Sequence, residues 1–259
     1  MMSETELIGL AGAAAAAGVI NAVAGGGTMI TFPVLLFFGT SPIVANATST
    51  LALVIGTAGS IFGFREQFTA VKPWLGRFVP VSIVGGWLGS MLLTRTSEST
   101  FARLIPFLIL FATILFLAQN VFRRFARQHL NDSPVAGPSR GVWIAVVFQL
   151  GVAIYGGYFG AGIGILMLAS LGFLGLRDIH QMNALKNVLG SLINVVAAAW
   201  FVQKGLIDWP RAGVMTAGAL GGYFIGAHYS QRIPQQIVRR LITAIGFIIS
   251  IVFFIEQFG

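Results

Sequence analysis

In NALKNVLGSLIN, Asn183 to Asn194, polar and small residues recur every three or four positions: Asn183, Lys186, Asn187, Gly190, Ser191 and Asn194. That spacing is one face of a helix, and the other faces are Leu, Val, Ile and Ala. Lys186 is the one cation well inside an apolar run. A charge held at mid-membrane costs about 2.5–3.5 kcal/mol on insertion scales, so it either meets a counter-charge or escapes to the interface. It sits about seven residues, roughly 10 Å, into its helix, close enough for the side chain to snorkel. Position alone leaves the two readings even. Its place on the asparagine stripe favours an inward role, as counter-charge to an anion. A comparable face in the first half carries Asn46, Ser49, Thr50 and Thr57, with Thr48 beside it. Polar stripes can also simply join helices by hydrogen bonds. A cavity lining is the expectation for these two.

The glycines point to the same chemistry. AGGGT (Ala24–Thr28) and GGYFGAGIG (Gly156–Gly164) interrupt two long apolar segments. Glycine is poor inside a helix, and a cluster breaks one. Irregular backbone at membrane depth survives only when buried in protein or lining a wet cavity. A break frees N–H groups, and the helix that restarts after it carries partial positive charge at its N-terminus. Glycine lets an anion approach those groups closely. The expected anion contacts are therefore Gly25, Gly26, Gly27, Thr28, Asn46, Thr48 and Ser49 from the first half. From the second they are Gly160, Gly162, Gly164, Asn183, Lys186 and Asn187. Tight helix packing is the expected role of Gly85 and Gly89, and of Gly218, Gly222 and Gly226, all spaced by four.

The elements that must position these residues are membrane helices. Of 259 residues, 56% are hydrophobic and only 9% charged. Mean hydropathy is +0.85. No charge occurs between Leu7 and Phe64 or between Gly141 and Leu176. Alternating barrel strands are absent from the pattern, so the chain reads as an all-α integral membrane protein in contact with the lipid bilayer. The alanine-rich start is preceded by the acidic MMSETEL rather than a positive flank, and reads as retained. The net charge of +8 lies in short loops beside apolar spans, as membrane topology requires, so nucleic acid is not an expected partner. There is no cysteine, which excludes disulfides, iron–sulfur clusters and thiolate metal sites. The three histidines and eight acids lack metal-ligand spacing, and no cofactor is expected. The sequence leaves the oligomeric state open, a homo-oligomer included.

The apolar segments run over Leu7–Phe38, Pro42–Phe64, Trp74–Leu93, Phe101–Phe122, Gly141–Leu176, Ile179–Val202, Trp209–Tyr229 and Val238–Phe258. A crossing takes ~20 residues, so the first and fifth are far too long for one. RRFARQHLNDSPVAGPSR (Arg123–Arg140) divides the chain into a first repeat, 1–122, a linker, 123–140, and a second repeat, 141–259. An offset of 137 places Gly25 on Gly162, Gly27 on Gly164, Asn46 on Asn183, Gly85 on Gly222 and Arg103 on Arg240. The arginine-rich linker is cytoplasmic by the positive-inside rule. If each overlong segment dips in and returns, more of the remaining arginines fall on the cytoplasmic side than if it crosses. Each half then has a hairpin plus three spans, and the halves are inverted. Inverted repeats place a transporter's substrate at their interface.

AGGGTMITFPVLLFFGTSPIVANATSTLAL and YFGAGIGILMLASLGFLGLRDIHQMNALKN resemble the two motif copies of the TauE/SafE sulfite exporter family, also called the toluene sulfonate uptake permease family. The resemblance covers nearly the whole chain. The first copy is close, at Gly25–Gly27, Pro33, Gly39, Ala47, Thr48 and Ser49. The second departs, with Ser170 in place of proline and Leu185-Lys186 in place of Thr-Ser. The resemblance implies a secondary transporter of sulfite, sulfonates or related organosulfur anions in the plasma (inner) membrane, often working outward. The alternatives are a passive anion channel, a membrane-embedded enzyme acting on a lipid, and an assembly factor that transports nothing.

Overall fold

The computed structural model describes residues 2–23, 26–63, 68–128, 140–172, 179–229 and 235–258. Every regular element among them is an α-helix. The first half supplies α1 (Glu4–Val23), α2 (Thr28–Phe37), α3 (Pro42–Gly63), α4 (Phe68–Arg95) and α5 (Glu98–Gln128). The second supplies α6 (Arg140–Tyr158), α7 (Ile163–Gly172), α8 (Ile179–Gln203), α9 (Trp209–Tyr229) and α10 (Gln235–Phe258). Five of these helices are long and apolar enough to cross a membrane by length and composition.

Each overlong apolar segment is two helices. The turns are made where an L side chain would be strained: φ is 101° at Gly26, 82° at Gly160 and 78° at Gly162. The chain then doubles back. A side chain at Gly9, near the start of α1, would touch the Phe38 ring that follows α2. At the other end of the pair, Gly27 lies against the Ala17 carbonyl. So α1 and α2 form a hairpin with the glycines at its tip. α7 packs back on α6, with Ile163 against Gly156. The short arms, α2 and α7, have 10 residues each, about 15 Å of helix, so they reach only part-way through a bilayer.

Glycine lets the long arms pack backbone to backbone. Along α9, Gly218 faces Ala11, Gly222 faces Ala15 and Gly226 faces Val19 of α1, so the two helices run parallel. Along α4, Gly85 faces Leu150 and Ala153, and Gly89 faces Ile154 and Tyr158 of α6, again parallel. The packing role expected from the four-residue spacing is what these glycines perform. The neighbours correspond between the halves. α1 lies on α9 as α6 lies on α4, and α3 lies on α9 as α8 lies on α4. α3 meets α8, α5 meets α10, α7 rests on α5 and α2 on α10.

Contacts at the helix ends fix their direction. Glu98, at the start of α5, accepts from Ser41 Oγ and from the Ile43 N–H, each at 3.1 Å, and so caps the start of α3 with negative charge. Arg211, in the first turn of α9, donates to Glu6 at 2.7 Å and to the Phe38 carbonyl at 3.3 Å, and pairs with Asp208. Phe107 of α5 packs on Phe254 and Phe258 of α10. The start of α1, the end of α10 and the starts of α3, α5 and α9 therefore gather at one end of the bundle, the termini end. The end of α5 and the start of α6 lie at the other. Around the outside, Phe107, Phe111, Ile114 and Leu117 of α5 and Ile248, Ile251, Val252 and Ile255 of α10 stay exposed, an apolar surface suited to lipid.

Candidate anion site at the two backbone breaks

The two glycine turns meet at one side chain. A Cβ at Gly26 would strike the Phe116 ring, and a Cβ at Gly162 would sit 3.8 Å from the same ring and 3.4 Å from Leu115. Phe116, on α5, is buried. Because α2 begins at Thr28 and α7 at Ile163, both short helices start beside this ring. Their N-terminal ends carry the partial positive charge of the helix dipole to one place. Lys186 belongs there too: its Cδ would lie 3.5 Å from a Cβ at Gly164, the second residue of α7. The aliphatic part of the half-buried lysine thus runs along the start of α7. Asn194, two turns further along the same face of α8, brings its Oδ1 to 3.9 Å from a Cβ at Gly160.

Each turn is pinned by the helix before it. Asn21 Oδ1 accepts the Gly27 N–H at 2.7 Å, so one of the N–H groups expected to meet an anion is already engaged. Tyr155 donates its hydroxyl to the Ala161 carbonyl at 2.7 Å, and its ring packs on Phe111. Such second contacts hold a binding geometry that glycine alone leaves loose. Asn21 and Tyr155 carried no independent signal in the sequence, although Asn21 opens the NAVAGGGT run. Phe116 is one of 22 phenylalanines and had none at all.

The other expected contacts join helices. Asn46 Nδ2 donates to the Tyr158 carbonyl at 3.1 Å, tying α3 to the end of α6. Ser49 and Thr31 share a hydroxyl–hydroxyl bond of 2.6 Å between α3 and α2, and Thr31 also donates to the Gly27 carbonyl. Thr48 accepts the Asp208 N–H at 3.1 Å, which fixes the approach to α9. All four side chains are buried. Thr28 begins α2, and Asn187 is half-buried on α8. Gly25 and the Asn183 side chain lie outside the described residues. Among the described residues no group of three or more His, Asp or Glu side chains could hold a metal ion.

A family model described as sulfite exporter TauE/SafE matches residues 10–253. A Haemophilus influenzae protein described as "Probable membrane transporter protein" is 27% identical over 238 residues, covering 90% of this chain and 89% of its own. A Sinorhizobium protein, "Probable membrane transporter protein ORF9", is 26% identical over 242 residues, covering 92% and 88%. Escherichia coli K12 YfcA, described in the same words, is 24% identical over 239 residues, covering 90% and 84%. No solved structure matches the chain.

Proposed function

The chain belongs to the TauE/SafE sulfite exporter family and is a multi-pass membrane transporter; from that premise we propose that its cargo is a small sulfur oxyanion, sulfite or an organic sulfonate. The observation that carries this reading is the convergence of two helix starts on Phe116 with Lys186 alongside. An anionic head held there takes N–H groups and dipole charge from α2 and α7 and a full positive charge from Lys186. The buried phenyl ring then stands between the two halves of the site. Sulfonates and sulfite match the arrangement because several oxygens spread around one centre can accept donors from both breaks.

Alternating access is the mechanism we favour. In our reading the two halves are inverted repeats in the plasma (inner) membrane, with the linker in the cytoplasm. α4 and α9 occupy equivalent places and point opposite ways, which supports this. Rocking one half against the other opens the site to each side in turn. Export is the direction we favour, by the family's printed description. A binding screen of the purified protein against sulfite, sulfate, thiosulfate, alkyl sulfonates and carboxylates tests the cargo. Sulfite or a sulfonate should bind most tightly. A preference for carboxylates would overturn the assignment.

A further inference from the structure

We propose that the buried oxygen atoms of Asn46 and Ser49, where α2, α3 and the end of α6 meet, bind an alkali cation that accompanies the anion. Asn46 is 1% exposed, and its Oδ1 has no hydrogen-bond partner among the described residues. The amide cannot turn round to offer its NH2 instead. Its Nδ2 is committed to the Tyr158 carbonyl at 3.1 Å, and a flip would set oxygen against oxygen. A buried acceptor left alone is costly, so this atom asks for a positive or proton-donating partner.

Ser49, one turn along the same face of α3, offers a second acceptor. With its one hydroxyl proton donated to the Gly27 carbonyl at 3.2 Å, Thr31 is left to accept, and we assign Ser49 as the donor in their 2.6 Å bond. That leaves the lone pairs of Ser49 Oγ open. The surroundings favour positive charge as well. α6 ends at Tyr158, so the negative end of its dipole points at Asn46. Carbonyl oxygens at the ends of broken helices are the usual cation partners in transporters built this way. The oxygens identified are neutral, which suits one unit of charge better than two. The second break would then serve both charges, with the end of α6 beside the cation and the start of α7 beside the anion. Asn46 and Ser49 belong to the first half and Tyr158 to the second, so a cation here sits between the two parts that rock against each other. Only this coupling rests on the transport reading; the site itself does not.

The test is thermal unfolding of the purified full chain, without any anionic cargo, in NaCl, KCl or choline chloride at equal ionic strength. A saturable rise of several degrees in melting midpoint with NaCl or KCl over choline is expected, since a ligand that binds only the folded state stabilises it. Ser49→Ala should remove that rise while still folding, because its partner Thr31 keeps its bond to Gly27. Asn46→Leu should remove it too, at a cost in stability through the lost Tyr158 bond, so Ser49→Ala decides. Equal midpoints for wild type in all three salts overturn the proposal. So does an undiminished rise in Ser49→Ala. A rise produced by sulfite in choline and lost in Ser49→Ala also overturns it, and gives these oxygens to a donor on the cargo. Cation stabilisation without any anion flux in vesicles would leave the cation site standing and sink the transport reading instead.

Discussion

Lys186 illustrates what a single position can decide. Its sequence place allowed either an interfacial or an inward side chain, and its stem lies against Gly164 at the start of α7; we propose that its charge serves the anion. A charge-assisted contact to a bound anion is worth about 1.5–3 kcal/mol. Lys186→Met should therefore weaken sulfite or sulfonate binding at least several-fold, measured by titration of the purified protein. Unchanged affinity would leave the anion to the backbone dipoles. Phe116 makes a different prediction. Its ring fills the place where Gly26 and Gly162 approach each other, so Phe116→Ala should open a passage and raise passive anion leak in vesicles. A tight Phe116→Ala vesicle would show that the barrier lies elsewhere. The glycines were legible because three in a row have no helical reading. Phe116 was not, because a buried phenylalanine in a membrane helix looks like any other. Asn46, Thr48 and Ser49 were legible as a polar stripe, but spacing could not tell a cavity lining from hydrogen bonds between helices. For Asn46 Nδ2, Thr48 and Ser49 the structure gives the latter.

Elements were more legible than contacts. Segment lengths alone required that Leu7–Phe38 and Gly141–Leu176 each contain a break, and the breaks fall at the glycines. Glycine spacing also identified the packing faces of α4 and α9, because a missing side chain every fourth residue has a mechanical meaning. What spacing could not give was the partner helix, since α1 and α9 are far apart in sequence. Nor did it give the cluster at the termini end. There Arg211 binds Glu6, Asp208 and the Phe38 carbonyl, joining α1, the end of α2 and α9. The Arg211 side chain is 23% exposed and that of Glu6 12%. Removing one partner of a largely buried ion pair leaves an uncompensated charge. Arg211→Met should lower the melting midpoint by several degrees, on the order of 1–3 kcal/mol, and Glu6→Gln by less. Equal midpoints for wild type and Arg211→Met would show that the cluster is an ordinary surface pair.

At the scale of the whole molecule, charge and helix direction together suggest an orientation in the membrane. Lys72, Arg77, Arg140, Arg239 and Arg240 lie on helices near the linker end. At the termini end Arg95, Arg103, Lys204 and Arg211 are interspersed with Glu4, Glu6, Glu98, Asp208 and Glu256. By the positive-inside rule we infer that the linker faces the cytoplasm and that both termini face outside. Reporter fusions at the C-terminus and within the linker should report opposite sides, with the C-terminus outside. Both on one side would contradict the fold. The central claim is that anions cross through a site shared by the two breaks. The most direct measurement is counterflow of radiolabelled sulfite in vesicles containing purified protein. Wild type should show saturable uptake that is accelerated by unlabelled sulfite inside. Gly26→Val, strained at a positive φ and driven against Phe116, should insert and purify normally yet show no counterflow. Unsaturable flux in wild type, or wild-type counterflow in Gly26→Val, would contradict the account.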